Sequence, residues 1–123
     1  MGTFKITGGH KLKGEFQPQG AKNEALQILC AVLLTKEKVI INNIPNIVDV
    51  NKLIDLLGAL NVKVEKLKAN SYSFQAEDVD IEFMHSPEYM KRGGGLRGSI
   101  MFVGPLLGRF GKGYIPKPGG DKI

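Results

Sequence analysis

No tryptophan occurs in the chain, and cysteine occurs once, as Cys30. A single thiol excludes an intrachain disulfide. Its place inside the apolar run from Ala25 to Leu34 makes it a small packed hydrophobe, which fits a reducing cytoplasm. No apolar stretch approaches the roughly 20 residues that cross a bilayer. The residues after Met1 alternate like a strand where a signal peptide would carry a continuous apolar core, so membrane anchoring and secretion are not expected. His10 and His85 lie far from each other and from Cys30, without metal-ligand spacing, and no metal is expected. Neither histidine receives a role. The run Gly93-Gly94-Gly95 fits neither the dinucleotide pattern G-x-G-x-x-G nor the nucleoside-triphosphate pattern G-x-x-x-x-G-K-[ST], and reads as a flexible connection.

Charge is present with an excess of one sign: 17 Lys and Arg against 12 Asp and Glu give +5 over 123 residues. That balance favours anionic partners, among them nucleic acid, nucleotides and phosphorylated metabolites. Nucleic acid is disfavoured because aromatics make up only 7% and the basic residues are scattered among acidic ones. With 42% hydrophobic residues the chain has the composition of a soluble globular domain.

Periodicity predicts the order of elements. Phe4-Lys5-Ile6 and Leu12 to Phe16 alternate across Gly8-Gly9 and predict a hairpin. Ala21 to Leu34 predicts an apolar helix, buried on most sides, with Lys22, Asn23 and Glu24 at its start. Lys38 to Ile44 is β-branched and closes at Pro45, as a strand would. Val48, Leu53, Leu56, Leu57 and Leu60 recur at helical spacing, predicting an amphipathic helix that ends near Asn61 with Asp49, Asn51, Lys52 and Asp55 turned to water. Val62 to Leu67 and Tyr72 to Ala76 predict a second hairpin, and Val79 to Phe83 another strand. From Pro87 to Gly95 a mobile loop is expected, then a helix over Leu96 to Phe110 that tolerates Pro105, then a short strand over Gly111 to Ile115.

Leu33-Leu34 and Pro45 find counterparts in Leu106-Leu107 and Pro118 at one offset of 73 residues, so the chain begins a second copy of its first unit. That copy stops within the turn Pro118 to Ile123, before the helix and hairpin that close the first. A truncated fragment is therefore expected, with an exposed edge through which copies could associate.

Three places could carry chemistry. Gly20-Ala21-Lys22-Asn23 sets a cation and a carboxamide at a helix start, where free N–H groups attract anions. Spacing alone is equally met by Asn23 as a helix cap and Lys22 as a solvated side chain, the commoner case. Arg97 opens the third helix and could grip a phosphate with two parallel hydrogen bonds, or be an ordinary surface arginine. Asp121, in Pro-Gly-Gly-Asp, could be catalytic or could only hydrogen-bond its own turn.

Taken together, Gly20-Ala21-Lys22-Asn23 with Ala25-Leu26, Leu96-Arg97-Gly98-Ser99-Ile100, Gly104 to Gly111 and Pro118-Gly119-Gly120 resemble the UDP-N-acetylglucosamine 1-carboxyvinyltransferases over almost the whole chain. The related shikimate-pathway enolpyruvyl transferases usually have Gly-Ser-Lys-Ser where this chain has Gly-Ala-Lys-Asn, which favours the sugar-nucleotide branch. The resemblance implies an α/β (α+β) protein, an inverted α/β barrel of two domains. Each domain would hold three βαβαββ units, of which this chain would carry about one and a half in an enzyme roughly three times its length. It assigns residues 1–20 to a hairpin of the second domain and a hinge, and residues 21–123 to an incomplete first domain.

The resemblance also implies cytoplasmic transfer of the enolpyruvyl group of phosphoenolpyruvate to the 3-hydroxyl of UDP-N-acetylglucosamine, for peptidoglycan synthesis and cell division, with no cofactor. Lys22 and Asn23 match a pair that contacts phosphoenolpyruvate, and Arg97 an arginine that contacts UDP-N-acetylglucosamine. Asp121 stands where the family usually has the cysteine that donates a proton, which implies an aspartic general acid and resistance to fosfomycin. The general base and further arginines would come from beyond Ile123, so the fragment alone is expected to be inactive. Two other readings remain: a complete small anion- or nucleic-acid-binding module, and 5-enolpyruvylshikimate-3-phosphate synthase.

Overall fold

The computed structural model describes residues 2–117 as a mixed α/β structure in which helices cover one three-stranded sheet. Helix α1, Lys22–Ala31, carries Ala25, Leu26, Leu29 and Cys30 on its buried side and tightens into a 3-10 turn at Val32–Leu34. The other side is open, with Ile28 at 42% and Leu34 at 55% exposure, so this helix is amphipathic and not buried all round. Strand β1, Lys38–Ile41, leads to α2, Val48–Ala59. Asn61 then takes a left-handed conformation, φ 66°, and its amide donates to the Gly58 carbonyl, stopping α2 where the apolar spacing does.

Strands β2, Lys63–Lys68, and β3, Ser71–Gln75, form the expected second hairpin. β3 lies in the middle of the order β1-β3-β2 and is antiparallel to both neighbours. β1 and β2 are therefore parallel to each other, and α2 supplies the long connection such a pair requires. Phe74, opposite Val39 on one side and Val64 on the other, is fully buried and ties the sheet to the core. Around it pack Leu29 and Leu33, then Leu53, Leu56, Leu57 and Leu60 of α2, then Met84, Tyr89, Phe102 and Leu106.

Several expectations are corrected. Val79 to Phe83 is not a strand: the Asp80 carboxylate accepts the Phe83 amide at 2.9 Å and opens a 3-10 turn, Glu82–His85. The outer edges of β1 and β2 take up no further strand among the described residues, so the local turn at Asp80 prevails over the alternation. The expected mobile loop from Pro87 is helix α3, Pro87–Gly94. Ser86 caps it by accepting the Tyr89 amide, Pro87 occupies its first position, Glu88 pairs with Arg92 one turn on, and Tyr89 is buried. Gly93 serves packing, since a Cβ there would stand 2.8 Å from Pro116 Cγ.

The third helix is divided into a 3-10 run, Arg97–Phe102, and α4, Val103–Phe110. Pro105 sits in the first turn of α4, where no intrahelical donor is needed. Gly111 takes a left-handed conformation, φ 68°, that ends α4, and Gly111 to Ile115 forms no strand among the described residues. The hairpin expected over Phe4 to Phe16 is likewise absent. Phe4, Ile6, Leu12 and Phe16 are 87–98% exposed, and two strands with nothing to bury are not stable.

The two copies inferred from the 73-residue offset lie against one another. Leu33 and Leu106 are both fully buried, and α4 packs on the Val32–Leu34 turn. Arg109 joins them, donating through Nη1 to the carbonyls of Leu33 and Thr35, both at 3.0 Å, and through Nη2 to Glu77 at 3.4 Å.

Candidate functional site

Helix α1 begins without a side-chain cap. Ala21 is its extended N-cap residue, so the capping role considered for Asn23 is not realised and the first amides of the helix face outward. The start is held in place by contact with the next loop. A Cβ on Gly20 would lie 2.0 Å from the Asn43 carbonyl oxygen and 3.1 Å from Pro45 Cδ, so only glycine lets the chain pass there. Asn43 itself is left-handed, φ 59°.

Arg97 comes to the same place from the far end of the chain. The 3-10 run that carries it is fixed by Ser99, whose buried hydroxyl donates within reach of the carbonyls of Gly93, 2.9 Å, and Leu96, 2.8 Å. It is fixed also by Gly98, where a Cβ would approach the Leu26 methyls to 3.3 Å. The backbone of the run therefore lies almost on α1. Lys22, Asn23, Asp49, Arg97, Gly98 and Met101 line one open groove of about 450 Å³. Lys22, Asn23 and Arg97 are all exposed. Asp121 lies outside the described residues.

Asp49, in the first turn of α2, was expected only on a solvated face. It forms an ion pair with Lys22 across the groove. The hydrogen bond from Lys22, with the charges of Lys22 and Lys52 behind it, holds the Asp49 carboxyl below the usual aspartate range against its partial desolvation. Two cations face one carboxylate here, so the groove keeps a net positive charge suited to an anion. No local signal marks Asp49, because its partner is set by how α1 and α2 pack. A larger groove, about 850 Å³, runs between α2 and α3, but its cations Lys52, Lys91 and Arg92 alternate with Asp55 and Glu88, and Arg92 is paired to Glu88. Its three cations against two carboxylates leave the same net charge as the two against one of the smaller groove, but it holds none of the residues singled out from sequence.

The thiol of Cys30 is buried behind the groove, pushed up to about 12 by desolvation, and is no nucleophile. Among the described residues no group of His, Cys, Asp and Glu could hold a metal ion, and no helix is long and apolar enough to cross a membrane.

A family model described as EPSP synthase (3-phosphoshikimate 1-carboxyvinyltransferase) matches residues 6–123. The chain belongs to this family. Within the EPSP synthase family, the chain is 55% identical over 123 residues to a UDP-N-acetylglucosamine 1-carboxyvinyltransferase of Bacteroides thetaiotaomicron, with all of this chain and 28% of that protein covered. Proteins of the same name from Porphyromonas gingivalis and, numbered 1, from Carboxydothermus hydrogenoformans are 50% and 41% identical over equal spans. The chain thus spans just over a quarter of the length of these relatives. In EPSP synthase family terms, the groove between α1 and the Arg97 run is where three of the four residues singled out from sequence meet.

Proposed function

We propose that this chain supplies a substrate-binding part of a UDP-N-acetylglucosamine 1-carboxyvinyltransferase acting in the cytoplasm in peptidoglycan synthesis. The observation that carries the proposal is the convergence of Lys22 and Asn23 with Arg97, from opposite ends of the chain, on one cationic groove. The names of relatives at 50–55% identity support the same reading.

In this reading the sugar 3-hydroxyl adds to C2 of phosphoenolpyruvate while an acid protonates C3, and the tetrahedral intermediate then expels phosphate. Lys22 and Asn23 hold phosphoenolpyruvate, and Arg97 holds the sugar nucleotide. Cations at the start of α1 and of the Arg97 run offset the negative charge that gathers on the phosphate and carboxylate oxygens. Asp121 is the general acid. It can donate at neutral pH only if a closed, desolvated cleft or the substrate phosphates raise its pKa. A carboxylate is a poorer nucleophile than a thiolate, so fosfomycin does not label this position. The exposed side chains of Phe4, Ile6, Leu12 and Phe16 belong, in this reading, against a second domain of the complete barrel.

Phosphate release from phosphoenolpyruvate and UDP-N-acetylglucosamine, measured for this chain and for the product of its whole reading frame, tests the proposal. The whole product is expected to be active, this chain silent, and Asp121→Asn of the whole product nearly silent. Release with shikimate 3-phosphate as acceptor, and none with the sugar nucleotide, would transfer the assignment to the shikimate branch.

A further inference from the structure

Asp49 is the one charged side chain of the groove that the proposed reaction leaves without a role. Its carboxylate pairs with Lys22, and the two side chains remain 41% and 44% exposed, so the pair stands at the groove surface where a ligand can reach it. The two partners differ in rigidity. Asp49 is a short side chain on a helix whose next residues, Val50 and Leu53, are fully buried, so its carboxylate has a fixed position. Lys22 ends in four rotatable bonds and begins a helix that has no cap to hold it.

An ion pair this exposed does little for stability, so tying α1 to α2 is a weak reason for it. The packing of Leu26 and Leu29 already joins those helices to the core. Placing the ammonium is a stronger one. A lysine that must find an anion from many rotamers loses that freedom during the reaction, whereas one already held loses it on folding. The pair also leaves two of the three ammonium donors for a ligand.

We infer that Asp49 is a positioning residue that holds the Lys22 ammonium over the groove and shares it with the bound anion. The inference rests on the proposal that Lys22 meets phosphoenolpyruvate. Asp49 itself touches no reacting atom, and it acts through Lys22 alone.

The test has two arms in the whole-reading-frame protein. In steady-state phosphate release, Asp49→Asn is expected to lower kcat/KM for phosphoenolpyruvate by about tenfold, with kcat carrying most of the loss, and Asp49→Glu to recover most of it. In a Lys22→Gln background the same Asp49→Asn change should alter kcat/KM by less than about twofold, because the residue it acts through is gone. Equal losses in both backgrounds would overturn the inference, since a structural role does not need Lys22. The second arm is independent of turnover: NMR relaxation of the Lys22 side chain should show an ordered ammonium that becomes mobile in Asp49→Asn. If the parent protein releases no phosphate, the enzyme reading fails by itself. The anchoring then stands on loss of that order, or is overturned by its persistence.

Discussion

Replacing Arg109 by alanine removes three hydrogen bonds that no neighbour along the chain can replace. Two of them, at 3.0 Å, reach the carbonyls of Leu33 and Thr35, and the third, at 3.4 Å, reaches Glu77 on the surface. Leu33 is fully buried at the end of the first helical segment, where carbonyls have no partner within the helix. A hydrogen bond from a charged donor contributes about 1.5–3 kcal/mol, and a buried acceptor left bare costs a similar amount. Water reaches Thr35 in part and Glu77 freely, so most of the loss falls on Leu33, and about 2–3 kcal/mol is expected for the whole change. Lysine keeps the charge but not the fork, and Arg109→Lys should recover less than half. Urea denaturation followed by far-ultraviolet circular dichroism measures both. A loss below about 0.5 kcal/mol for Arg109→Ala would mean that water replaces the guanidinium at Leu33, and that the clasp between the two repeat copies contributes nothing.

Gly20→Ala is expected to cost about 1–3 kcal/mol and to move the amide resonances of Asn43 and its neighbours, because the new methyl would overlap the Asn43 carbonyl. Superimposable spectra would show that the close approach is not required. The alkaline limb of stability should be steep. Burial raises Cys30 to about 12 and Tyr89, with the neighbouring thiol adding to the effect, also to about 12, so the folded state keeps protons that the unfolded chain releases. Their contribution is whole below the unfolded values and is lost from about pH 9 toward pH 12, at up to about 1.4 kcal/mol per pH unit for each group. Denaturation midpoints against pH should flatten in Cys30→Ala, and an unchanged slope would contradict the burial argument. At pH 7 Tyr89→Phe should stabilise the protein by about 1 kcal/mol, because the buried hydroxyl has no hydrogen-bond partner among the described residues. Thermal unfolding of the variant decides it.

Elements written in long apolar patterns were legible. The helix spacing of Val48 to Leu60 and the alternation of Val62 to Leu67 and Tyr72 to Ala76 specify their structure locally and appear nearly at their expected bounds, while the β-branched run from Lys38 makes a strand that ends early, at Ile41. Short or glycine-rich stretches misled. Val79 to Phe83 alternates like a strand but is turned into a 3-10 segment by the Asp80 carboxylate, and Pro87 to Gly94 has the composition of a loop but carries a serine cap, a proline at the first helical position and a buried tyrosine. The cap could have been read beforehand from Ser86-Pro87. The burial of Tyr89 could not.

The sequence by itself determined the family and pointed to three groove residues, because motifs and periodicity are properties of neighbouring residues. Lys22 and Asn23 stand out at a helix start, and Arg97 begins the motif Arg97-Gly98-Ser99. Only the tertiary structure decided that these meet in one groove, that Asp49 joins them and that Arg109 clasps Leu33. Those contacts depend on the angle and register at which α1, α2 and the Arg97 run settle against Phe74 and Phe102. Packing fixes that geometry through many residues at once, and no local stretch of sequence contains it.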